Sequence, residues 1–207
     1  MYLHFTNRLI QNCFPHFIWQ IPTNEKVIYL TFDDGPIPEV TPWVLEQLKN
    51  YQAKATFFCI GDNIGKHHHI FEKLLSEGHS VGNHTFHHLN GWKYSTDAYI
   101  ANVKMCEEYL LGYSQKLFRP PYGRLTAQQS RILREQENYQ IVMWNVLSGD
   151  FDQQLNEEKC LKKSIQYTKS GSIVIFHDSR KAKKNLYYTL PRYLEYFNEQ
   201  GFRFEKL

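Results

Sequence analysis

Short apolar runs alternate with amphipathic segments along the chain. Val27 to Phe32 is apolar and β-branched and ends shortly before the turn residues Gly35 and Pro36, which predicts a buried strand. Thr41 is then expected to cap a helix that has apolar residues on one face and ends near Asn50. The pattern therefore predicts a strand followed by a helix.

The same alternation continues to the C-terminus. Further strands are predicted at Ala55 to Ile60, His79 to Gly82, Leu117 to Arg119, Gln140 to Val146, Ser172 to His177 and Phe202 to Glu205. Further helices are predicted at Ile64 to Glu77, Ser95 to Leu111, Thr126 to Gln136, Asn156 to Lys169 and Leu186 to Gln200. Strands that alternate with helices imply an α/β fold with a parallel sheet, and about seven such units favour a closed or nearly closed barrel over a doubly wound open sheet.

The length and composition fit one folded domain. The chain has 207 residues, of which 42% are hydrophobic and 22% are charged, and it has no repeat and no linker-like segment. We assign residues 27–207 to the domain and residues 1–26 to an N-terminal extension that packs on it. The formal net charge of +3 is too balanced to predict a nucleic-acid partner, and no protein partner is predicted.

No targeting or membrane segment is recognised in the sequence. No window approaches the roughly 18 uninterrupted apolar residues of a transmembrane helix, and the apolar stretch after Leu9 has no cleavage site. We therefore expect a cytoplasmic protein. The four cysteines include no C-x-x-C pair, so we expect free thiols rather than a zinc ribbon or a disulfide framework.

Chemically reactive side chains follow the predicted strands. They are Asp33, Asp34, His84, His88, Arg119, Asp150 and His177. Because the C-terminal ends of parallel strands carry the active site in α/β folds, we expect these side chains to converge. Taken alone, Asp33 and Asp34 could also be no more than turn formers before Gly35.

One subset of these residues has the spacing of a metal site. His84 and His88 are four residues apart, which on a helical turn places both imidazoles on one side. Asp34 would complete a two-histidine, one-carboxylate set with open positions for water and substrate, and Asp33 would remain a free base. The consecutive histidines at 67–69 lie in a predicted helix, where their side chains splay apart, so we exclude them as a ligand set.

Four ordered motifs resemble those of the polysaccharide deacetylases, the NodB homology family or carbohydrate esterase family 4. They are Thr31-Phe32-Asp33-Asp34-Gly35, His84-Thr85-Phe86-His87-His88, Arg119-Pro120-Pro121-Tyr122-Gly123 and Ile175-Phe176-His177-Asp178. The resemblance extends from about Val27 to the C-terminus and implies a distorted, incomplete, TIM-like (β/α) barrel of about seven strands. It also implies a metal-dependent hydrolase that removes N-acetyl, or alternatively O-acetyl, groups from carbohydrates that contain N-acetylglucosamine.

The resemblance implies roles for individual residues on the metal side of the site. Asp33 matches the catalytic base, and Arg119 matches the residue that orients it. Asp34, His84 and His88 match the metal ligands, with Zn²⁺ foremost and Co²⁺, Ni²⁺ or Mn²⁺ as alternatives. In such a site the metal polarises the acetyl carbonyl and acidifies the attacking water.

The resemblance also implies how the amine leaves. His177 matches the general acid that protonates the departing nitrogen, and Asp150 matches the carboxylate that orients this histidine. The backbone N–H of Tyr122 matches a donor to the oxyanion. The candidate substrate-contacting residues are Pro120, Trp144, Phe151 and Ile175.

One motif departs from the family pattern. Many members have Asp-x-x-Asp-Trp where this chain has Leu147-Ser148-Gly149-Asp150-Phe151, so the first Asp and the Trp are replaced. Phe151 still offers an apolar wall for an acetyl methyl group but lacks the indole N–H. Two alternatives to the deacetylase stay open. They are a deformylase or amidase that acts on a lipid-linked sugar or a small cyclic amide, and a glycan-binding module without catalysis.

A basic loop follows the last motif. It carries Arg180, Lys181, Lys183 and Lys184 close to the expected metal site. One interpretation is that these cations attract a phosphate or another anionic group of the substrate. The other is an ordinary solvated loop.

Overall fold

The computed structural model describes residues 3–110 and 112–207. In it, the protein has a parallel sheet covered by helices. The strands are β1 (Val27–Asp33), β2 (Thr56–Cys59), β3 (Ser80–Asn83), β4 (Leu117–Phe118), β5 (Gln140–Ile141), β6 (Val146–Leu147), β7 (Ile173–His177) and β8 (Arg203–Glu205). The helices are α1 (Arg8–Cys13), α2 (Thr41–Asn50), α3 (Gly61–Lys66), α4 (His68–Ser76), α5 (Thr96–Leu110), α6 (Ala127–Glu135), α7 (Glu157–Tyr167) and α8 (Lys183–Glu199), with a 3₁₀ turn at Pro121–Gly123.

The sheet is curled into an incomplete barrel, as the family resemblance implied. Its strand order is β5-β4-β3-β2-β1-β7-β6, and β8 also pairs with β1. The edge strands β5 and β6 are separated in the chain only by residues 142–145, so the chain crosses from one edge of the sheet to the other there. The prediction of one strand from Gln140 to Val146 is therefore wrong, because its first part pairs with β4 and its last part pairs with β7.

The segment before β1 lies along this seam between the two edges. Ile18 forms a bridge with Val142 next to β5, and Phe5 forms a bridge with Val146 in β6. Trp19 packs in an apolar cluster under the same part of the sheet. The segment thus supplies backbone partners to both edges, while the domain boundary between residues 26 and 27 stays a prediction.

Side chains cap α6 and α7 at the residues where these helices were predicted to begin, whereas the predicted cap at Thr41 is wrong. The side chain of Thr126 accepts the N–H of Gln129 at the start of α6, and Asn156 caps α7 in the same way. Thr41 begins α2 but does not cap it. Its hydroxyl donates instead to the buried carboxylate of Asp178 at 2.6 Å, which ties the helix start to the end of β7.

The helix predicted from Ile64 to Glu77 is broken into two. His67 separates α3 from α4, and its φ of −133° and ψ of 44° lie outside the helical region. The apolar stripe that predicted the helix is still buried, as Phe71 and Leu74 show. Leu111, the predicted end of a later helix, lies outside the described residues, and α5 is described to Leu110.

The expectation of free thiols is confirmed. All four cysteines are free thiols, and Cys59, Cys106 and Cys160 are buried. In the part of the chain that the structure describes, no helix combines the length and the apolar character needed to cross a bilayer.

The register between strands brings the motif residues to one edge of the sheet. Asp33 at the end of β1 pairs directly with His177 at the end of β7. On the other side of β1, the ends of β2, β3 and β4 are aligned through Cys59, Asn83 and Phe118. Because all of these strands are parallel, the loops that follow them meet above their C-terminal ends.

Candidate metal centre and active site

The side chains of Asp34, His84 and His88, here called the ligand cluster, meet above the C-terminal edge of the sheet. Asp34 Oδ1 lies 3.2 Å from His88 Nε2 and 3.8 Å from His84 Nε2. One ligand atom from each residue lies within 4.8 Å of the other two, and the described residues contain no second group of this kind. Burial opposes ionisation of Asp34, but the hydrogen bond to His88 and the charges of the nearby imidazoles hold its pKa well below the usual value.

A loop, and not the expected helical turn, carries the two histidines. Residues 84–88 follow β3 without helical geometry, with positive φ at Thr85 (61°) and His88 (55°). Asn83 Oδ1 accepts the N–H of Thr85, and Asn102 Oδ1 accepts the next two backbone N–H groups. This loop still brings the two imidazoles together, since their ring centroids are 5.1 Å apart.

Both histidines form a hydrogen bond through Nδ1, which leaves their Nε2 atoms near Asp34. His84 Nδ1 lies 2.7 Å from the carbonyl oxygen of Arg119. A carbonyl only accepts, so Nδ1 carries the proton and Nε2 keeps a free lone pair. Burial also lowers the pKa of His84 to about 4, which maintains its neutral form. His88 Nδ1 lies 3.1 Å from the hydroxyl of Tyr122.

The loop that presents Asp34 is held from beneath by a buried carboxylate. Asp34 has a positive φ of 84°. Asp178 Oδ1 accepts the N–H of Gly35 at 3.0 Å, and its Oδ2 accepts the hydroxyl of Thr41. A Cβ atom on residue 35 would lie 1.9 Å from Asp178 Oδ2, so only glycine fits there. Asn63 adds a hydrogen bond of 2.7 Å to the Asp34 carbonyl.

Asp33 forms an ion pair with a fully buried arginine. Arg119 Nη1 donates to Asp33 Oδ1 at 2.8 Å and to the hydroxyl of Thr31 at 2.7 Å. Its Nε and Nη2 atoms donate to two backbone carbonyls. Asp33 also lines the cavity described below, and its Oδ2 lies 3.8 Å from His84 Nε2. The arginine therefore fixes one carboxylate oxygen and leaves the other near the ligand cluster.

Asp150 fixes His177 through both its backbone and its ring. Asp150 Oδ2 accepts the backbone N–H of His177 at 2.8 Å, and Asp150 Oδ1 lies 2.8 Å from His177 Nδ1. Ser148 donates a further hydrogen bond to Asp150 Oδ1. Burial opposes the charged imidazole, but the charge and hydrogen bond of Asp150 outweigh it and raise the pKa of His177 to about 9. His177 is therefore a proton donor at neutral pH.

A cavity with a volume of about 580 Å³ opens over these groups, a size suited to a small organic ligand. Its lining includes Asp33, Asp34, His84, His88, Tyr122 and His177, together with the four candidate substrate-contacting residues Pro120, Trp144, Phe151 and Ile175. The Phe151 ring packs edge-on against His177, with centroids 5.0 Å apart. Within the described residues, the Tyr122 N–H has no hydrogen-bond acceptor, which leaves it available to a ligand.

The histidines at 67–69 lie away from the cavity. His67 separates α3 from α4, and the exposed His68 lies 3.6 Å from Glu72 on the surface of α4. Neither residue lines the cavity, in agreement with their exclusion as ligands.

Several residues that position the site were missed at the level of sequence. They are Thr31, Asn102, Ser148 and Asp178. Asp178 directly follows His177 in a motif, and this adjacency could have identified it. Asn102 lies on α5, fourteen residues after His88, and nothing in the local sequence connects the two.

Comparison with known sequences relates the chain to polysaccharide deacetylases. The sequence profile described as polysaccharide deacetylase matches residues 20–142. The chain is 33% identical over 189 residues to a peptidoglycan-N-acetylglucosamine deacetylase of Bacillus cereus, which covers 90% of this chain and 88% of that protein. It is 33% identical to a chitooligosaccharide deacetylase of Azorhizobium caulinodans over 77% of each chain. It is also 32% identical to PgdA of Listeria monocytogenes, of which it spans 38%.

Solved structures show the same relation over most of the chain. The peptidoglycan N-acetylglucosamine deacetylase Bc1960, solved with an N-hydroxybenzamide compound, superposes with a TM-score of 0.86 at 31% identity and covers 93% of this chain and 91% of that chain. The peptidoglycan deacetylase PdaC of Bacillus subtilis gives a TM-score of 0.79 at 27% identity over 90% of each chain. The incomplete barrel is therefore shared along nearly the whole length.

Proposed function

Since the chain belongs to the polysaccharide deacetylase family, we propose that it removes N-acetyl groups from N-acetylglucosamine residues of a glycan by metal-dependent hydrolysis. The observation that carries the proposal is that the ligand cluster shares one cavity with a carboxylate and a protonated imidazole, each held by its own buried partner. Two relatives, a peptidoglycan-N-acetylglucosamine deacetylase and a chitooligosaccharide deacetylase, support this class of substrate.

The ligand cluster has the donor set of a divalent cation site. It offers one carboxylate oxygen and two imidazole nitrogens, and the free lone pair of His84 Nε2 already points toward Asp34. We infer Zn²⁺ as the resident ion. Co²⁺, Ni²⁺ and Mn²⁺ are alternatives, because a set with one oxygen and two nitrogens accepts several first-row ions. A divalent cation held there would polarise the acetyl carbonyl and lower the pKa of a water molecule.

Asp33 is the proton acceptor in this proposal. Arg119 holds its Oδ1, so the carboxylate keeps one orientation while its Oδ2 faces the neighbourhood of the ligand cluster. Asp33 takes a proton from the attacking water as the new C–O bond forms at the acetyl carbon. The ion pair with the buried Arg119 holds this carboxylate in place before the transfer.

His177 is the proton donor to the leaving nitrogen. Its Nδ1 is bonded to Asp150, which leaves Nε2 to donate as the C–N bond breaks. The N–H of Tyr122 donates to the oxyanion that precedes this step. The products are acetate and a sugar with a free amine.

The proposal is tested by acetate release from N-acetylglucosamine oligomers. The protein loaded with Zn²⁺ is expected to release acetate, and His84→Ala is expected to abolish both bound metal and release. His68→Ala removes an exposed histidine outside the cavity and serves as the matched control, with activity unchanged.

The two alternative functions give different outcomes in the same assay. Hydrolysis of formyl groups or small cyclic amides without acetate release would identify the deformylase or amidase alternative. Tight glycan binding with no product from any amide would identify a glycan-binding module. Either result would contradict the deacetylase proposal.

A further inference from the structure

The loop that carries the two histidines begins with a turn that encloses His84. Asn83 is the last residue of β3, and its Oδ1 accepts the N–H of Thr85 at 2.9 Å. A side chain that accepts a backbone N–H two residues ahead closes a tight turn, and His84 is the residue between the two. Thr85 has a φ of 61°, which costs energy in a residue other than glycine, and this hydrogen bond offsets part of that cost. The orientation of the Asn83 amide therefore helps to fix the backbone of a residue in the ligand cluster.

Asn83 is fully buried, and its amide nitrogen has two acceptors. Nδ2 donates to the carbonyl oxygen of Val103 on α5 and to the hydroxyl oxygen of Tyr139, both at 2.9 Å. An asparagine amide has one end that donates and one end that accepts. Because these two oxygens hold the nitrogen, Oδ1 is the end that faces Thr85.

Tyr139 is itself held by a carboxylate. It lies directly before β5 and is buried, and its hydroxyl donates to Glu107 on α5. Lys116 Nζ lies 3.0 Å from Glu107, and the hydroxyl of Ser114 also donates to this carboxylate. Burial opposes ionisation of Glu107, but the hydrogen bonds of Tyr139 and Lys116 hold its pKa below the usual value. An ionised carboxylate only accepts, so the Tyr139 proton points to Glu107 and the Tyr139 oxygen is left to accept from Asn83.

We infer that Tyr139 is a positioning residue for the ligand cluster, acting through the Asn83 amide on the backbone of His84. The inference rests on the proposed function and adds to it a residue that does not line the cavity. Each group donates to the next, from the N–H of Thr85 through Asn83 and Tyr139 to Glu107. Hydrogen bonds linked in this way polarise one another, so loss of the single hydroxyl weakens the hold on the turn around His84.

Tyr99 offers a matched control for the hydroxyl of Tyr139. Both tyrosines are buried in the same apolar cluster and pack against the ring of Phe118, with centroids 6.4 Å from it for Tyr99 and 5.7 Å for Tyr139. Within the described residues, the Tyr99 hydroxyl has no hydrogen-bond partner. Tyr139→Phe and Tyr99→Phe therefore remove the same atom from the same cluster, and only the first breaks the chain of hydrogen bonds.

The test measures metal affinity and the visible spectrum of bound Co²⁺. Tyr139→Phe is expected to weaken Zn²⁺ binding by about tenfold in competition with a chromogenic chelator, the low end for a residue that orients a ligand from outside. The same variant should shift the absorption bands of the Co²⁺-loaded protein, whereas Tyr99→Phe should keep the wild-type Kd and spectrum. A Tyr139→Phe variant with the wild-type Kd and spectrum would overturn the inference even if its Tm fell, because the residue would then act through packing alone. Equal loss of affinity in both variants would overturn it as well.

Glu107→Gln tests the next link and leaves the apolar cluster intact. The amide oxygen can still accept from Tyr139, but the charge is lost, so we expect Zn²⁺ affinity to fall by only about two- to threefold. Glu108→Gln makes the same change at the next, exposed position and should have no effect. An equal effect of these two variants would contradict a role for Glu107 in the chain. Wild-type protein that binds Zn²⁺ but releases no acetate would instead overturn the proposed function, and the comparison of Kd values would still decide the role of Tyr139.

Discussion

The two parts of the site differ in how the protein holds them. The Asp33–Arg119 and Asp150–His177 pairs each contain a hydrogen bond of 2.8 Å, and both Arg119 and Asp150 are fully buried. In the ligand cluster the shortest separation between side chains is 3.2 Å, and two of its three residues are only half-buried. The pairs are completed by the protein itself, whereas the ligand cluster has the donor set of a divalent cation site.

The backbone shows the same difference. His177 and Asp33 end regular strands and are aligned by sheet register. Asp34 and His88 have positive φ values of 84° and 55°, which cost energy in residues other than glycine. Asp33 and His177 are therefore positioned by the sheet, while the ligand cluster depends on strained loops that a bound ion would stabilise.

Removing the metal from the ligand cluster should have the largest effect on activity. Dialysis against a chelator is expected to abolish acetate release, and added Zn²⁺ or Co²⁺ should restore it. If the ion is present at about 100 times its Kd, its loss removes about 2.7 kcal/mol of stability, or about 5–10 °C in Tm for a domain of this size. Metal analysis measures the loss of the ion, and thermal unfolding measures the change in Tm. Full activity in protein that contains no metal would refute the role of the ligand cluster.

Asp33→Asn should distinguish the role of the base from that of the metal ligands. The variant is expected to lose activity by about 10²–10⁴-fold, because the amide cannot accept the proton, while it still binds one metal ion. Asp34→Asn should lose metal and activity together. Asp97→Asn, an exposed residue on α5, is the control for the change from acid to amide. If Asp33→Asn released the metal and Asp34→Asn retained it, the two roles would be reversed.

The sequence predicted the helices and strands better than the connections between them. Apolar runs predicted β1 and β7, and these strands align Asp33 with His177. The apolar run from Gln140 to Val146 predicts one strand, yet its two ends lie at opposite edges of the curled sheet. Pattern alone carries no information about such a crossing, since Ile141 near one end and Val146 at the other are both buried.

The identities of the candidate site residues could be read from motifs, but their supports could not. The spacing of His84 and His88 suggested a helix, and the loop geometry depends instead on Asn102 from a distant helix. Likewise, the backbone carbonyl of Arg119 orients His84, a contact that no side-chain pattern encodes. Such supports arise only when separate elements pack together.

Asp150→Asn should have an intermediate effect and change the pH profile. His177 must be protonated to act as the acid, and with a pKa of about 9 it is charged at pH 7 and loses its proton as pH rises through about 9. The substitution removes the charge that raises this pKa. The alkaline limb of the kcat profile should therefore move to lower pH, with kcat at pH 8 reduced by about 10–100-fold. An unchanged alkaline limb would show that another group is the acid.

Tyr122→Phe should have the smallest effect and test how far the ligand cluster depends on its neighbours. The change removes the hydroxyl that lies 3.1 Å from His88 Nδ1 but keeps the backbone N–H assigned to the oxyanion. The residue is 63% exposed, so water can replace the hydroxyl, and we expect metal affinity to fall by about tenfold, the low end for a residue that orients a ligand. Competition with a chromogenic chelator measures this change. At saturating metal, kcat should stay within about twofold of wild type. A large loss of kcat under those conditions would mean that the hydroxyl acts on the substrate instead of on His88.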